Sequence, residues 1–161
     1  MTVRAILLNG PSSSGKSSLA QALAAALGDA AHRIVSIDDY LEMTADEPIW
    51  EDDVYEISPL MCAAVREALA AGENIIIDHV ITSERIFRRT MEALADVPVL
   101  TVRVTCSREA LIRREAARKN RCPGSAEASE DYLFPKIGYD LTVDTTGRSP
   151  AEVAGDILSH L

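Results

Sequence analysis

A glycine-rich segment near the start of the chain carries the clearest chemical signal. It matches the pattern G-x-x-x-x-G-K-[ST] and comprises Gly10, Pro11, Ser12, Ser13, Ser14, Gly15, Lys16 and Ser17, followed by Ser18. The segment follows a predicted strand and opens a predicted helix, so its backbone N–H groups and the positive helix end converge on phosphate oxygens. In this pattern the lysine contacts the β- and γ-phosphates and the Ser17 hydroxyl binds Mg²⁺. The sequence therefore predicts a nucleotide-phosphate loop; the alternative is a glycine-rich turn that binds no ligand.

Two carboxylates follow predicted strands. Asp78 comes directly after the run 75–77, and Asp38 comes directly after Ile37. Ligands of an open parallel sheet gather at the carboxyl ends of its strands, so both side chains should lie beside Lys16. Asp78 is expected to face the metal ion and its waters, and Asp38 to accept the proton of an attacking hydroxyl. An ordinary loop aspartate at Asp78, a helix cap or metal-shell role for Asp38, and Asp78 as the base all remain open.

Arginines are concentrated in one part of the second half of the chain. Arg114, Arg118 and Arg121 are spaced by four and three residues, which puts them on one helical face if the helix continues that far. Guanidinium groups at a helix end, before a Pro-Gly turn, are suited to stabilising the charge on a transferring phosphoryl group. The alternative is a solvated basic helix face. Residues 118–131 are therefore interpreted as a lid-like segment.

Alternating strands and helices must position these residues. Five apolar runs are separated by segments whose apolar residues have helical spacing. The runs do not alternate strictly with polar residues, which suits strands buried on both faces. They are residues 3–8, 33–37, 74–77, 97–105 and 139–143. Ser58-Pro59 predicts the start of a helix that Gly72 ends, and a capping box from Ser149 to Glu152 predicts the start of the last helix. The pattern indicates an α/β, three-layer sandwich with a five-stranded parallel sheet.

Composition limits the classes of protein that fit. The 161 residues suffice for a single domain over 1–161, and the formal charge of -9 argues against nucleic-acid binding. No apolar run approaches the roughly 18 residues of a membrane span, and no leader is recognised. Three unpaired-looking cysteines suggest a reducing environment, so the expected location is the cytoplasm. The oligomeric state is not determined by these features.

The segment 42–57 is strongly acidic. It contains seven carboxylates and no basic residue: Glu42, Asp46, Glu47, Glu51, Asp52, Asp53 and Glu56. A loop of this length is more often a binding element than a plain connector, and the alternative is a solvated acidic surface. A nucleoside monophosphate acceptor would require basic residues here. The segment is therefore interpreted as an acceptor side for an uncharged or cationic small molecule, such as an amino-sugar or peptide-like antibiotic.

The sequence resembles the chloramphenicol phosphotransferase-like family of small P-loop kinases. The resemblance rests on segments that occur in the same order: Leu8-Asn9-Gly10 through Lys16-Ser17-Ser18, Ile37-Asp38, Ile75-Ile76-Ile77-Asp78-His79-Val80, Arg114-Glu115-x-x-Arg118-x-x-Arg121 and Tyr139-Asp140-Leu141-Thr142-Val143-Asp144-Thr145-Thr146. It implies a P-loop NTPase fold of the nucleotide-kinase type and transfer of the γ-phosphate of ATP to a hydroxyl. It also implies that Asp38 is the base, that the three arginines belong to a lid, and that the loop 144–150, with Thr146, lies near adenine. Residues 43–57 are shorter and more acidic than in the chloramphenicol enzyme.

The predicted function is therefore an ATP- and Mg²⁺-dependent small-molecule kinase, with antibiotics among the candidate acceptors. The alternative is a nucleotide-dependent ATPase or switch protein without such an acceptor. A GTPase would need an N-K-x-D motif, which does not occur, and an AAA-type motor would need a further helical domain. A non-catalytic nucleotide-binding module is disfavoured because Lys16, Ser17, Asp38 and Asp78 are all present.

Overall fold

Five parallel strands form the central layer. The computed structural model describes residues 2–28 and 32–161. The strands are β1 (Ala5–Asn9), β2 (His32–Ser36), β3 (Asn74–His79), β4 (Val99–Thr105) and β5 (Leu141–Asp144), in the order β2-β3-β1-β4-β5. All five predicted strands are confirmed, with ends displaced by one or two residues. Their carboxyl ends meet at one edge, which is where the candidate site lies.

Six α-helices in the described part of the chain complete the layers. They are α1 (Lys16–Ala26), α2 (Glu51–Ala70), α3 (Glu84–Ala93), α4 (Arg108–Ala116), α5 (Ser125–Asp131) and α6 (Pro150–Leu158). The helices α1 and α6 pack on one face of the sheet, and α2 and α3 pack on the other. A smaller apolar cluster joins α4 to α5. This is the predicted three-layer α/β sandwich, and none of the described helices is long and apolar enough to cross a membrane.

The strands are apolar on both sides because helices cover both faces. Ile75 and Ile77 belong to the core under α2 and α3, whereas Ile76 belongs to the core under α1 and α6. All three are fully buried. A strand that is buried on both faces needs no polar positions, which explains the continuous apolar runs in the sequence.

The helix α2 begins earlier than predicted. Ser58-Pro59 is not its start, because α2 runs from Glu51 with Pro59 inside it. Proline has no N–H for the carbonyl of Tyr55, and two other groups satisfy that carbonyl. The Ser58 hydroxyl donates to it at 2.9 Å, and a guanidinium nitrogen of Arg89 from α3 donates at 2.7 Å. The second half of the predicted acidic loop is therefore helical, while Gly72 and the capping box at Ser149 act as predicted.

The lid-like segment is also partly helical. The helix α4 ends at Ala116, so the prediction of one helical face for the three arginines is wrong. The buried carboxylate of Glu115 accepts the backbone N–H groups of Gly124 at 2.7 Å and Ala126 at 2.6 Å. Those bonds fasten the first turn of α5 to the end of α4. The two ends of the intervening loop, which carries Arg118 and Arg121, are thus joined by these bonds.

Candidate active site

The glycine-rich loop connects β1 to α1 and lies directly against the sheet. A Cβ atom on Gly10 would stand 2.4 Å from the Val104 carbonyl oxygen, so only glycine allows this approach. Gly15 has a φ of +93°, in the left-handed region that glycine adopts without strain. Lys16 opens α1 and is 5% exposed, and its Nζ donates to the Pro11 carbonyl at 2.8 Å. The loop therefore holds its own lysine where the pattern predicts it.

Burial lowers the pKa of Lys16, and the nearby carboxylates of Asp78 and Asp38 oppose that effect. These carboxylates come from the ends of neighbouring strands, as the sequence predicts. The lysine thus lies in a site that already contains opposite charge. A phosphate group entering the loop would add to that compensation.

Two oxygen-bearing side chains meet where α1 begins: Ser17 of α1 and Asp78 at the end of β3. The Ser17 hydroxyl donates to Asp78 Oδ2 at 2.7 Å, and the Ser36 hydroxyl donates to the same oxygen at 3.1 Å. The parallel register puts Ser36 beside Asp78. Asp78 is 3% exposed, so it is not an ordinary loop aspartate. The sequence reasoning missed Ser36, although its position at the end of β2 made it available.

The donor set fits magnesium. Hydroxyl and carboxylate oxygens are the hard ligands that Mg²⁺ prefers, and Mg²⁺ usually keeps several waters and phosphate oxygens beside one or two protein ligands. Over residues 2–28 and 32–161, no group of three His, Cys, Asp or Glu side chains could hold a metal ion by itself. Ser17 and Asp78 are therefore suited to a magnesium ion that arrives with nucleotide phosphates.

Asp38 lies on a short 3₁₀ turn, Ile37–Tyr40, that follows β2. Ser36, not Asp38, caps this turn, because the Asp38 N–H donates to the Ser36 hydroxyl at 3.3 Å. The Asp38 carboxylate remains one-third exposed and accepts a hydrogen bond from Arg121 Nη2 at 3.3 Å. Burial raises the pKa of Asp38, while the positive charge of Lys16 acts in the opposite direction. The carboxylate is accessible and is not consumed by a capping role.

The three arginines reach the site in different ways. Arg114, in the last turn of α4, donates to the Ser14 carbonyl at 3.1 Å. Arg118, beyond the helix, donates to the Ser13 hydroxyl at 3.3 Å. Arg121 turns instead to Asp38, and burial lowers the pKa of its guanidinium. The structure brings all three to the site even though they share no helical face.

A cavity of about 410 Å³ contains most of the predicted residues. Its walls are Ser12, Ser13, Gly15, Lys16, Ser17, Ser18, Asp38, Asp78, Val80, Arg114, Ala117 and Arg118. Of the other predicted residues, Gly10, Pro11 and Ser14 form the loop behind it, and Arg121 stands outside its wall beside Asp38. Thr146 does not line this cavity. Its hydroxyl instead accepts the Ser107 N–H at 2.8 Å.

Thr145, the neighbour of Thr146, contacts the loop directly. Its hydroxyl donates to the Ser14 carbonyl at 2.6 Å, and the residue is 5% exposed. No local sequence signal distinguishes Thr145 from Thr146, so the sequence reasoning missed it. A further missed contact lies on α5, where the Ser129 hydroxyl accepts the Ser12 N–H at 2.9 Å. The lid-like segment is therefore docked on the phosphate loop.

A second cavity of about 600 Å³ begins where the 3₁₀ turn ends. Its walls are Tyr40, Leu41, Glu42, Glu47, Pro48, Ile49, Asp53, Glu56 and Ile57. Four of these residues are acidic and none is basic, whereas the first cavity is lined by a lysine and two arginines. The turn that carries Asp38 therefore lies between a cationic cavity and an acidic one.

His79 lies at the same sheet edge but lines neither cavity. The ring is fully buried, and its Nδ1 accepts the Val80 N–H at 2.9 Å. The proton of the neutral ring is therefore on Nε2, which has no hydrogen-bond partner among the described residues. Burial lowers the pKa of His79 to about 3, and the charge of Lys16 adds to that effect.

Comparison with known proteins matches the chain to one family along nearly its whole length. A family model described as chloramphenicol phosphotransferase-like protein matches residues 3–161. None of the curated protein sequences compared with the chain matches it.

Solved structures share the fold at low sequence identity. The Mycobacterium tuberculosis APS kinase CysC, in complex with AMPPNP and APS, is 20% identical with a TM-score of 0.74, covering 98% of this chain and 96% of its own. A gluconokinase from Sinorhizobium meliloti 1021 is 22% identical with a TM-score of 0.69, covering 96% and 89%. The Deinococcus radiodurans tunicamycin resistance protein is 22% identical with a TM-score of 0.70, covering 99% and 95%. The sheet order and these matches confirm the P-loop kinase fold.

Proposed function

Because this chain belongs to the chloramphenicol phosphotransferase-like family, we propose that it is a kinase that transfers the γ-phosphate of ATP to a hydroxyl group of a small molecule. The observation that carries the proposal is the meeting of Lys16, the Ser17–Asp78 pair and the partly exposed carboxylate of Asp38 in one cavity. That set contains a phosphate ligand, two metal ligands and a base. The cavity proposed to take the acceptor begins at Tyr40, on the same 3₁₀ turn as Asp38.

The phosphate loop binds the donor. Its backbone N–H groups and Lys16 hold the phosphates, and Ser17 and Asp78 would hold Mg²⁺. When bound, the metal ion neutralises charge on the β- and γ-phosphates. Arg118, whose guanidinium already touches the loop at Ser13, adds positive charge on the side of α4.

Asp38 acts on the acceptor. It accepts the proton of the acceptor hydroxyl while the acceptor oxygen forms a bond to the γ-phosphorus. The bond from that phosphorus to the bridging oxygen breaks, and ADP leaves. Arg121 contacts the carboxylate of Asp38 rather than the loop, so Arg121→Ala is expected to lower the rate of transfer more than ATP affinity. Lysine at this position should restore only part of the rate because it lacks the planar fork of arginine.

The acceptor is proposed to be uncharged or cationic. The cavity beside Asp38 is lined by Glu42, Glu47, Asp53 and Glu56, and Asp53 alone uses its carboxylate to begin α2, accepting the Trp50 N–H at 2.8 Å. An anionic acceptor would meet unfavourable charge there. A hydroxyl-bearing antibiotic with or without amino groups would not, and the apolar walls at Tyr40, Leu41 and Ile49 accommodate its carbon skeleton.

A panel of hydroxyl compounds tests both the reaction and the charge preference. Neutral, cationic and anionic compounds are incubated with ATP and Mg²⁺, and phosphorylated product is detected by mass spectrometry. Asp38→Asn should lower transfer by about 10²–10⁴-fold with little loss of ATP affinity. Asp39→Asn is the matched control, because Asp39 is the exposed neighbour of Asp38.

Three outcomes would contradict the proposal. Consumption of ATP without any phosphorylated compound would favour the ATPase or switch alternative. Preferential phosphorylation of anionic compounds would refute the charge argument. Normal transfer by Asp38→Asn would remove Asp38 as the base and leave Asp78 as the candidate.

A further inference from the structure

One carbonyl of the phosphate loop is held by two side chains from distant parts of the chain. The Ser14 carbonyl oxygen accepts the Thr145 hydroxyl at 2.6 Å and Arg114 Nη1 at 3.1 Å. The two side chains also hold each other: Arg114 Nη1 donates to the Thr145 hydroxyl oxygen at 3.1 Å, and its Nη2 donates to the Thr145 carbonyl at 3.2 Å. All of the oxygens that Arg114 contacts here are uncharged.

Fixing this carbonyl fixes the next N–H group. The carbonyl of Ser14 and the N–H of Gly15 belong to one planar trans peptide and point in opposite directions. Gly15 lines the cavity, whereas Ser14 and Thr145 do not. A Ser14 oxygen held by Thr145 therefore directs the Gly15 N–H the opposite way, toward the cavity where a phosphate would lie. A Cβ on Gly15 would stand 3.4 Å from Arg114 Nη1, so the two side chains press close against this peptide.

The Thr145 hydroxyl also lies 3.3 Å from the Thr105 carbonyl, but the loop that carries Thr145 has backbone bonds of its own. The Thr145 backbone N–H donates to the Thr105 carbonyl at 3.0 Å, which continues the pairing of β4 with β5. The neighbouring turn has its own bond from the Thr146 N–H to the Asp144 carboxylate at 2.9 Å. Removal of the hydroxyl should therefore change the phosphate loop more than the segment that carries Thr145.

We propose that Thr145 is a positioning residue for the donor phosphates, acting through the Ser14–Gly15 peptide together with Arg114. The inference rests on the proposed function, because it assumes that the loop binds a nucleotide. Thr145 itself does not touch the ligand. Its effect appears in nucleotide binding, not in the acid–base chemistry of Asp38.

Binding of a fluorescent ATP analogue with Mg²⁺, in the absence of any acceptor, tests this role. Thr145→Val replaces the hydroxyl by a methyl and is expected to weaken binding about tenfold, which corresponds to about 1.4 kcal/mol. Thr145→Ser keeps the hydroxyl and should bind within about twofold of the parent protein. Thr142→Val, at an exposed threonine of β5, is the matched control and should leave binding unchanged. Thr145→Ala serves if valine does not pack, with the same expected loss.

The outcomes separate this inference from the proposed function. Parent-like binding by both Thr145→Val and Thr145→Ala would overturn the positioning role. An equal loss in Thr145→Ser would assign the effect to the methyl group and would also overturn it. Lys16→Ala reports on the site itself: if it bound the analogue normally, the proposed nucleotide site would be wrong and the role of Thr145 would fall with it.

Discussion

Acid should destabilise this protein through one buried histidine. His79 has a pKa of about 3 in the folded protein against an ordinary value of 6.5, because burial disfavours its charged form. Between those values the unfolded chain binds a proton at this residue and the folded protein does not. Stability is therefore lost as the pH falls below 6.5 and continues to fall until about pH 3. From pH 7 to pH 5 the loss from His79 alone is about 2 kcal/mol.

Urea unfolding at pH 7 and pH 5 measures this loss. His79→Leu removes the titrating ring from the core. Between pH 7 and pH 5 its free energy of unfolding should fall by about 2 kcal/mol less than that of the parent protein. The exposed His160 provides the matched control, and His160→Gln should reproduce the parent pH dependence.

Equal loss of stability in the parent protein and in His79→Leu would refute the reasoning. If the leucine variant does not fold, NMR titration of the histidine rings in the parent protein decides the question. A His79 ring that titrates near pH 6.5 while the protein remains folded would contradict the buried, neutral state described here.

Substitutions at Gly10, Gly155 and Arg89, with a control at Arg88, test local packing and helix stability. Gly10→Ala places a methyl 2.4 Å from the Val104 carbonyl and should cost about 1–3 kcal/mol in the free energy of unfolding. Gly155→Ala, in the exposed and unobstructed middle of α6, should stabilise the protein by roughly 1 kcal/mol. Thermal unfolding should therefore show a lower midpoint temperature for Gly10→Ala and a higher one for Gly155→Ala. Arg89→Ala removes one of the two donors to the Tyr55 carbonyl and the contact with the Tyr55 ring, and about 2 kcal/mol should be lost. Arg88→Ala at the exposed neighbour should change stability by less than about 0.5 kcal/mol. Equal effects at Arg88 and Arg89 would contradict the role of these part-buried contacts.

Local chemistry was predictable from the sequence because its signals are local. The phosphate loop is defined by consecutive residues, and the carboxylates Asp38 and Asp78 were found because each follows an apolar run that ends at the same sheet edge. The parallel sheet covered on both faces also follows from alternating strands and helices. These parts of the site required no knowledge of distant contacts.

Errors arose where a distant residue changes the local rule. Ser58-Pro59 has the form of a helix start, but Arg89 supplies the donor that Pro59 lacks and the helix continues through it. Arg118 and Arg121 have helical spacing, but the helix ends at Ala116.

The residues that were missed act across long separations in sequence. Ser36 meets Asp78 across 42 residues, and Thr145 meets Ser14 across 131. The position of Ser36 at the end of β2 indicates the sheet edge but not its partner, and Thr145 has no local signal at all. Only the sheet brings these partners together, so spacing along the chain could not reveal them.

The strand order also sets when the site can come into being during synthesis. The central strand β1 leaves the ribosome first, yet its partners are β3 and β4, and the intervening β2 pairs only with β3. A nascent chain therefore carries an unpaired apolar strand until residues 74–79 have emerged, and such exposed edges invite association with other chains. The complete phosphate-loop sequence is present within the first eighteen residues. The Ser14 carbonyl of this loop nevertheless meets Thr145 only after β5 has been added. Nucleotide recognition by a loop that has this contact is therefore acquired late in synthesis.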